Sequence, residues 1–189
     1  MIDRDYRLVT VFGGSGFIGR YVCEELLDAS VRVRVATREP RAAYYLQPLS
    51  QVGQWGSVRA DVTNPKSVRA AVEGADAVIN LVGSFENMAK VHVQGARNIA
   101  EAARETGAKS VVHISAMSAD PKSNAAYSRT KGEGEEAVRK AFSDATIIRP
   151  SIVFGSEDQL TNRLAAMSRL PVVPVIAPES RFQPVFVED

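Results

Sequence analysis

The hydrophobic positions of this 189-residue chain fall into short apolar runs that alternate with segments of helical spacing. Six of the runs predict strands, because they are short and end at turn residues or at the start of a helix. They span residues 8–12, 31–36, 58–60, 77–82, 110–114 and 145–149. Helices are predicted over residues 17–28, 41–49, 65–73 with Asn64 as N-cap, 87–106, 125–142 and 158–170.

This alternation predicts an α/β fold with a doubly wound parallel sheet, because strands joined by helical crossovers run parallel. Residues 77–82 are almost continuously apolar, as in a parallel strand that is buried on both faces. Beyond Phe154 the pattern changes, and prolines interrupt residues 170–178, which predicts a loop or an edge there. Ligands of such sheets lie at the carboxyl ends of the strands, so the loops at those ends hold the candidate site.

A glycine-rich turn separates the first predicted strand from the first helix. It fits the pattern G-x-G-x-x-G at Gly14, Gly16 and Gly19. In such turns the early glycines permit the bend, Gly16 lets a pyrophosphate approach the backbone, and Gly19 lets the helix lie close to the strand. With the positive end of the helix, this predicts a dinucleotide site; the alternative is a plain tight turn. The residues assigned to the site are Gly13, Gly14, Ser15, Gly16, Phe17, Ile18 and Gly19.

Composition and charge argue against several other classes. The net charge is +1, so nothing favours nucleic acid or an anionic membrane surface as a partner. The single cysteine, Cys23, excludes an internal disulfide, and no Cys/His cluster indicates a metal site. No apolar run has the length of a transmembrane segment, and residues 1–5 lack the core of a signal peptide. A cytoplasmic protein is therefore expected.

The end of the second strand bears on the choice of cofactor. Dinucleotide folds that prefer NAD usually place an acidic residue there, whereas this chain has Thr37 and Arg38. A guanidinium can pair bidentately with a 2′-phosphate, so NADP(H) is favoured, and NAD(H) stays open; the alternative is a solvent-exposed arginine. Asp61 and Val62 are assigned to the adenine, with helix capping as the alternative for Asp61. Secondary candidates for the phosphate are Arg20, Arg34 and Arg41.

Tyr127 and Lys131 lie four residues apart on the helix after the fifth strand, and therefore on one face. An ammonium beside a phenol favours the phenolate, so we expect a lowered pKa for Tyr127 and a role as general acid or base. Such a pair also arises often by chance. Ser115 and Ser118 are candidates for binding a carbonyl oxygen or the tyrosine, with turn capping as the alternative. Structural roles are expected for His92 and His113, and a solvated helix face for Glu133, Glu135 and Glu136.

In combination, these features resemble the short-chain dehydrogenase/reductase superfamily, in particular its extended and atypical branches, which include sugar-nucleotide epimerases and NmrA-like proteins. Besides the glycine turn and the Tyr127/Lys131 pair, the resemblance rests on residues 60–62, 78–83 and 149–155. Residues 113–120 and 154–158 are similar to the nucleotide-binding accessory subunit of respiratory complex I and its bacterial homologues.

The resemblance implies a Rossmann domain over residues 1–155 that binds NADP(H), with residues 156–189 as the start of a truncated C-terminal substrate lobe. It implies Tyr127, Lys131 and Ser115 as catalytic residues close to the nicotinamide. Met117 stands where extended enzymes have their catalytic Ser or Thr. Further residues implied on the nicotinamide side are Leu81, Val82, Gly83, Pro150 and Ile152.

Two function classes therefore stay open. One is an NADP(H)-dependent oxidoreductase or epimerase with an unknown small-molecule substrate, which the Tyr127/Lys131 pair favours. The other is a non-catalytic nucleotide-binding subunit that associates with respiratory-chain subunits at the periphery of the inner membrane. Met117 and the subgroup segments favour this second class.

Overall fold

The structure is a computed structural model that describes residues 7–169, 172, 179 and 181–189. The chain divides into two compact units, Met1–Arg149 and Pro150–Asp189. The assignment of the C-terminal residues to a substrate lobe stays a prediction.

Six parallel strands form the sheet of the first unit: β1 (Leu8–Phe12), β2 (Arg32–Thr37), β3 (Trp55–Arg59), β4 (Ala77–Asn80), β5 (Ser110–Ile114) and β6 (Thr146–Ile148). Their order is β3-β2-β1-β4-β5-β6. The sheet therefore grows outward from β1 in both directions, which confirms the predicted doubly wound α/β fold. Phe12 of β1 pairs with Asn80 of β4, so the ends of these two strands meet at the switch point where such sheets bind ligands.

Helices cover both faces of the sheet. They are α1 (Phe17–Asp28), α2 (Pro65–Val72), α3 (Ala96–Glu105) and α4 (Ala126–Ala141), and a 3₁₀ segment, Pro40–Leu49, follows β2. On one face Val11 and Val35 pack with Cys23 of α1. On the other face Phe12 and Val78 pack against α2 and α3. Both faces of β1 are thus buried, as its apolar sequence indicates.

Helix α2 begins where the sequence predicts. The Asn64 side chain accepts hydrogen bonds from the amides of Lys66 and Ser67, at 3.1 and 3.4 Å, and Pro65 occupies the first helical position. Strand β3 begins earlier than predicted, at Trp55. It is an edge strand with one neighbour, and its residues are only partly buried, so the hydrophobic pattern does not mark its start.

The long helix predicted over residues 87–106 consists of two parts, a π-helical turn at Ala89–Gly95 and α3. A π-helical turn holds more residues than an α-helical one and therefore rotates the faces of the helix that follows it. Gly95 ends the turn in close contact with Val62, since an added Cβ would lie 2.7 Å from Val62 Cγ2. The spacing of apolar residues alone does not distinguish these two kinds of helix.

The second unit contains strand β7 (Val153–Phe154), which pairs with β8 (Val185–Phe186), and helix α5 (Leu160–Met167). The buried Asp158 accepts a hydrogen bond from the Thr161 amide at 2.6 Å, which fixes the start of α5. This helix is shorter than the predicted span of 158–170. The proline-interrupted residues 170–178 lie outside the described residues, apart from Val172.

Candidate functional site

The turn after β1 brings backbone atoms to the carboxyl end of the sheet. Gly13 has a φ of +81°, a left-handed conformation that glycine adopts without strain. A side chain at Gly19 would run into the backbone of Gly13 and Gly14, so glycine allows α1 to approach the turn. At Gly16, by contrast, an added Cβ would meet only Gly13 O, at 3.3 Å, among the residues that the structure describes. The turn is therefore an open cradle, closed at one end by the first amides of α1, which have no acceptor within the helix.

Gly14 faces the core beneath this cradle. An added Cβ there would lie 3.0 Å from Cys23 Sγ, and the Gly14 carbonyl accepts a hydrogen bond from Tyr45 Oη at 2.6 Å. The Arg20 guanidinium lies 5.2 Å from the centre of the Tyr45 ring. Burial raises the pKa of Cys23 to about 12, so this thiol is a structural core residue. Phe17 and Ile18 are half-buried in the first turn of α1.

A cleft of about 540 Å³ lies at the carboxyl ends of β1 to β4. Its wall combines the glycine turn with the loops that follow the other three strands. The structure brings together there most of the predicted cofactor residues: Gly13, Ser15, Gly16, Thr37, Arg38, Asp61, Val62, Leu81, Val82 and Gly83. The wall also contains residues that the sequence analysis did not assign, among them Thr63, Ser84, Glu86, Asn87, Lys90 and Val91.

The end of β2 places Thr37 and Arg38 beside the glycine turn. The hydroxyls of Ser15 and Thr37 lie 3.2 Å apart and share a hydrogen bond. The exposed Arg38 lines the cleft. Hydrogen bonds from Thr63, and to a lesser degree the positive charge of Arg38, hold the pKa of Asp61 below its ordinary value. A cation and a carboxylate therefore face the same part of the cleft.

Asp61 does not cap α2, because Asn64 performs that role. Its Oδ1 instead accepts hydrogen bonds from the amide and the hydroxyl of Thr63, both at 2.8 Å. The buried Val62 follows, and its carbonyl accepts a hydrogen bond from Asn98 Nδ2 at 2.8 Å. These contacts fix the loop after β3 against α3 and leave Asp61 on the cleft wall.

The secondary phosphate candidates do not reach the cleft wall. The prediction for Arg34 is wrong, because its Nη1 donates to the carbonyls of Ala71 and Glu73, at 2.9 and 2.7 Å. Those carbonyls lie at the C-terminal end of α2, where a cation is favoured. Arg20 packs on Tyr45, and Arg41 is exposed on the 3₁₀ segment.

Lys131 lies beneath the far end of the cleft. Its side chain is buried, with 5% of the residue exposed, and Nζ donates to the carbonyl of Ile114 at 3.2 Å. A Cβ at Gly83 would lie 3.9 Å from the same Nζ. Burial lowers the pKa of Lys131 to about 8, and the negative charge of Glu135 opposes this shift. At neutral pH an ammonium is therefore held next to the Gly83 end of the cleft.

Tyr127 lies one helical turn before Lys131 on α4. Its ring stacks on Phe85, with centroids 5.2 Å apart, and meets the ring of His92 edge-on at 5.6 Å. Burial raises the pKa of Tyr127. The prediction of a lowered pKa is therefore wrong for this structure, because burial removes the phenol from water and so disfavours the phenolate. A neutral phenol can donate a proton.

His92 fixes the loop after β4 above Tyr127. The Ser84 amide donates to His92 Nε2 at 3.1 Å, so the proton of the neutral ring lies on Nδ1, which is 2.9 Å from Thr130 Oγ1. Burial lowers the pKa of His92 to about 4, with a smaller contribution from Lys131. The ring is thus neutral at pH 7 and acts as a structural link between the loop and α4.

Asn80 and His113 form a buried pair at the ends of β4 and β5. Asn80 Oδ1 accepts from the Val82 amide at 3.1 Å, so its Nδ2 donates to His113 Nδ1, at 3.0 Å. The neutral His113 therefore carries its proton on Nε2. His113 Nε2 and Ser115 Oγ have no hydrogen-bond partner in the part of the chain that the structure describes. The expected structural role of His113 thus rests on one of its two ring nitrogens.

The two predicted serines and Met117 follow β5 in different environments. Ser115 is 4% exposed, whereas Met117 is 66% exposed and Ser118 is also on the surface. Ser115 is not part of the cleft wall. Pro150 and Ile152 belong to the second unit, and their contact with a nucleotide stays a prediction.

Glu135 lies near the site, although its sequence position predicts a solvated helix face. The prediction of a solvated face is wrong for this residue, which is 4% exposed and bonds to Arg149 Nε at 2.8 Å and Nη2 at 2.6 Å. Burial is the largest single effect and raises the pKa of Glu135. The hydrogen bonds and the positive charge of Arg149, together with smaller contributions that include the charge of Arg139, outweigh burial and lower the pKa. The nearby Ser115 hydroxyl adds to the lowering, although it lies outside hydrogen-bond geometry. The spacing of four residues from Lys131 was the signal for a shared buried face.

Two features are absent from the described residues. No group of three or more His, Cys, Asp or Glu side chains is arranged there to hold a metal ion. None of the helices in the same residues is long and apolar enough to cross a membrane.

The sheet order and the glycine turn at its switch point define a Rossmann-type dinucleotide-binding domain. Solved structures share this fold. Vestitone reductase from alfalfa (Medicago sativa) aligns with a TM-score of 0.75 and 21% identity, over 96% of this chain and 69% of that chain. Pen from Bacillus thuringiensis aligns with a TM-score of 0.82 and 21% identity, over 99% of this chain and 63% of that chain.

Residues 13–170 match the NAD(P)H-binding family, so the chain belongs to it and binds a nicotinamide dinucleotide. The chain is 32% identical over 188 residues to the NADH-ubiquinone oxidoreductase 40 kDa subunit of Neurospora crassa, over 95% of this chain and 49% of that protein. It is also 32% identical over 188 residues to ceramide reductase of Caulobacter vibrioides, over 96% of this chain and 58% of that protein. The chain spans about half the length of these curated relatives.

Proposed function

We propose that the chain is an NADP(H)-dependent oxidoreductase or epimerase domain in which Tyr127 and Lys131 act on an oxygen of a small-molecule substrate. The observation that carries this proposal is the position of Lys131. Its buried Nζ, bonded to Ile114 O, lies next to the Gly83 end of the cleft, one helical turn from a neutral phenol.

Different residues at the cleft suit different parts of the nucleotide. The cradle at Gly16 and the first amides of α1 suit the pyrophosphate, because a Cβ would fill this open space. Arg38 suits the 2′-phosphate, and Asp61 with Val62 suits the adenine, since all three line the wall beside the turn. Lys131 is the donor for the hydroxyls of the nicotinamide ribose. The cleft thus offers each charged or polar part of NADP(H) a group of matching chemistry.

When bound, the nicotinamide supplies or accepts a hydride. For reduction of a carbonyl, Tyr127 Oη donates a proton to the substrate oxygen, since its phenol is protonated at neutral pH. The Lys131 ammonium stabilises the phenolate that this transfer leaves behind. Phe85 stacks on the phenol ring and excludes water from that face.

A second candidate is a nucleotide-holding subunit without turnover, located at the periphery of the inner membrane rather than free in the cytoplasm. The observation that favours it lies after β5, where Met117 is exposed and the hydroxyl of Ser115 is buried outside the cleft wall. Without the serine or threonine that extended enzymes have at the position of Met117, the substrate oxygen loses one donor. The relative named as a subunit of NADH-ubiquinone oxidoreductase supports the same reading, with respiratory-chain subunits as partners.

Cofactor choice is tested by titrating the protein with NADPH and with NADH. We expect tighter binding of NADPH, and Arg38→Ala should reduce NADPH affinity about tenfold or more, since a charge-assisted bond to phosphate contributes roughly 1.5–3 kcal/mol. NADH affinity should change little. Arg41→Ala, an exposed arginine outside the cleft wall, is the matched control. Equal affinities for the two cofactors in the unaltered protein would contradict the assignment of Arg38.

Tyr127→Phe and Lys131→Ala separate the two candidate functions. In an enzyme, Tyr127→Phe should keep nucleotide affinity but reduce NADPH oxidation with a panel of aldehydes and ketones by roughly 10²–10⁴-fold. Lys131→Ala should weaken both. A nucleotide-holding subunit would show no turnover in any form, and Lys131→Ala would weaken nucleotide retention alone. If neither variant changes binding or turnover, the pocket lies elsewhere.

A further inference from the structure

A buried cluster of polar and charged side chains lies beneath Lys131, between α4 and the end of β5. Lys131 and Glu135 come from α4, His113 and Ser115 from β5, and Arg149 from the segment after β6. Glu135 is the only buried carboxylate among residues 7–149. Such a residue requires a reason, because a carboxylate is rarely buried without a partner that needs its charge.

The ammonium of Lys131 needs a counter-charge. Among the described residues its one hydrogen-bond acceptor is the carbonyl of Ile114, at 3.2 Å, which leaves most of its charge uncompensated in a buried position. The other titratable groups packed around it supply no negative charge. His92 on the π-helical turn and His113 on β5 are neutral above about pH 4, and the phenol of Tyr127 is neutral because burial raises its pKa.

The position of Glu135 suits this task. It lies four residues after Lys131, one helical turn along the same buried face of α4. Arg149 holds both carboxylate oxygens in a bidentate pair, so the carboxylate has one fixed orientation. The Arg149 side chain is 48% exposed, whereas that of Glu135 is 5% exposed. Solvent therefore screens the positive charge of Arg149 at Lys131 more than it screens the negative charge of Glu135.

We propose that Glu135 is the positioning residue for Lys131: its clamped carboxylate keeps the ammonium charged and directed to the Gly83 end of the cleft. Without this carboxylate, the buried lysine would lose its proton near neutral pH. The charged donor for the ribose hydroxyls and the stabiliser of the phenolate would then be lost. This consequence rests on the proposed function, whereas the charge state of Lys131 does not.

The test is a pH titration of the nucleotide-free protein, with the lysine side chains labelled with ¹³C at Cε and followed by NMR. Lys131→Arg identifies the resonance of Lys131. In the unaltered protein we expect a midpoint near pH 8. Glu135→Gln keeps the size of the side chain and should move the midpoint at least about one pH unit lower. Glu136→Gln removes an exposed carboxylate from the same helix and should leave the midpoint unchanged.

Arg149→Gln separates charge from packing and provides a second variant if Glu135→Gln does not fold. It breaks the same ion pair but keeps the carboxylate, so the midpoint should stay at or above that of the unaltered protein. A midpoint that is unchanged in Glu135→Gln, or lowered in Arg149→Gln, would overturn the proposal. NADPH titration at pH 6 and pH 8 then tests the role of Lys131 in binding. A lowered NMR midpoint without any change in NADPH affinity would refute the proposed function while the electrostatic proposal stands.

Discussion

Gly134, in the middle of α4, sets the distance between this helix and the π-helical turn. A Cβ added there would run into the carbonyl oxygen of His92 and lie 3.2 Å from its carbonyl carbon. Both atoms belong to the backbone, so no change of rotamer relieves the overlap and α4 itself has to move. Alanine is normally better than glycine inside a helix, by roughly 0.5–1 kcal/mol. Any loss of stability on Gly134→Ala therefore comes from this contact.

The expected magnitude follows from two effects. Overpacking of a close contact costs about 1–3 kcal/mol. A displaced α4 also strains the 2.9 Å hydrogen bond between His92 and Thr130, which contributes roughly 0.5–1.5 kcal/mol. After subtraction of the gain in helix propensity, we expect Gly134→Ala to lower the free energy of unfolding by about 1–3 kcal/mol. For a chain of this length, each kcal/mol lowers Tm by roughly 2–4 °C.

Urea unfolding followed by far-UV circular dichroism measures this loss. Gly56→Ala is the matched control, because Gly56 lies in the edge strand β3 and an added Cβ there would have no heavy atom of the described residues within 4 Å. Its stability should stay the same or rise slightly. If Gly134→Ala is as stable as the unaltered protein, the contact with His92 does not set the position of α4, and the reasoning is refuted.

Two further predictions concern the cradle and the buried histidines. Gly16→Val should abolish NADPH binding with an unchanged circular dichroism spectrum, since Gly13 O is the one described atom near an added Cβ. Unchanged affinity would place the phosphate site elsewhere. Because the pKa values of His92 and His113 are lowered from 6.5 to about 4, the unfolded chain binds more protons between these values. The contribution of each neutral histidine to the free energy of unfolding is therefore fully present above pH 6.5. It is lost as pH falls toward 4, by up to roughly 3 kcal/mol for each histidine. Equal urea midpoints at pH 7 and pH 5 would contradict this dependence.

The sequence predicts the fold well, because the rules that connect parallel strands are local. The apolar run 8–12 is buried on both faces, so its hydrophobicity marks its bounds closely. Hydrophobicity does not mark the start of β3, because an edge strand is only partly buried. The π-helical turn at Ala89–Gly95 is not predictable for another reason. Gly95, at its end, packs against Val62, a residue of another loop, and the local spacing of apolar residues contains no information on such a contact.

The site is predictable where backbone position alone defines it. The glycine turn and the residues after β2, β3 and β4 meet in the cleft because parallel strands bring their ends together. Side-chain direction and burial are different, since they depend on the packing of distant elements. Arg34 bonds to the end of α2, and Glu135 pairs with Arg149 from beyond β6. Neither of these two pairings can be predicted from the types of residue alone.

The same burial acts in opposite directions on the two residues at the far end of the cleft. Burial disfavours the charged form of each residue, which is protonated for Lys131 and deprotonated for Tyr127. It therefore lowers the pKa of Lys131 and raises that of Tyr127. At pH 7 the pair is thus an ammonium beside a neutral phenol. Nucleotide retention needs only the ammonium, whereas proton transfer also needs the phenol hydroxyl. Lys131 can therefore serve either candidate function, and the effect of removing the Tyr127 hydroxyl is what distinguishes an enzyme from a nucleotide-holding subunit.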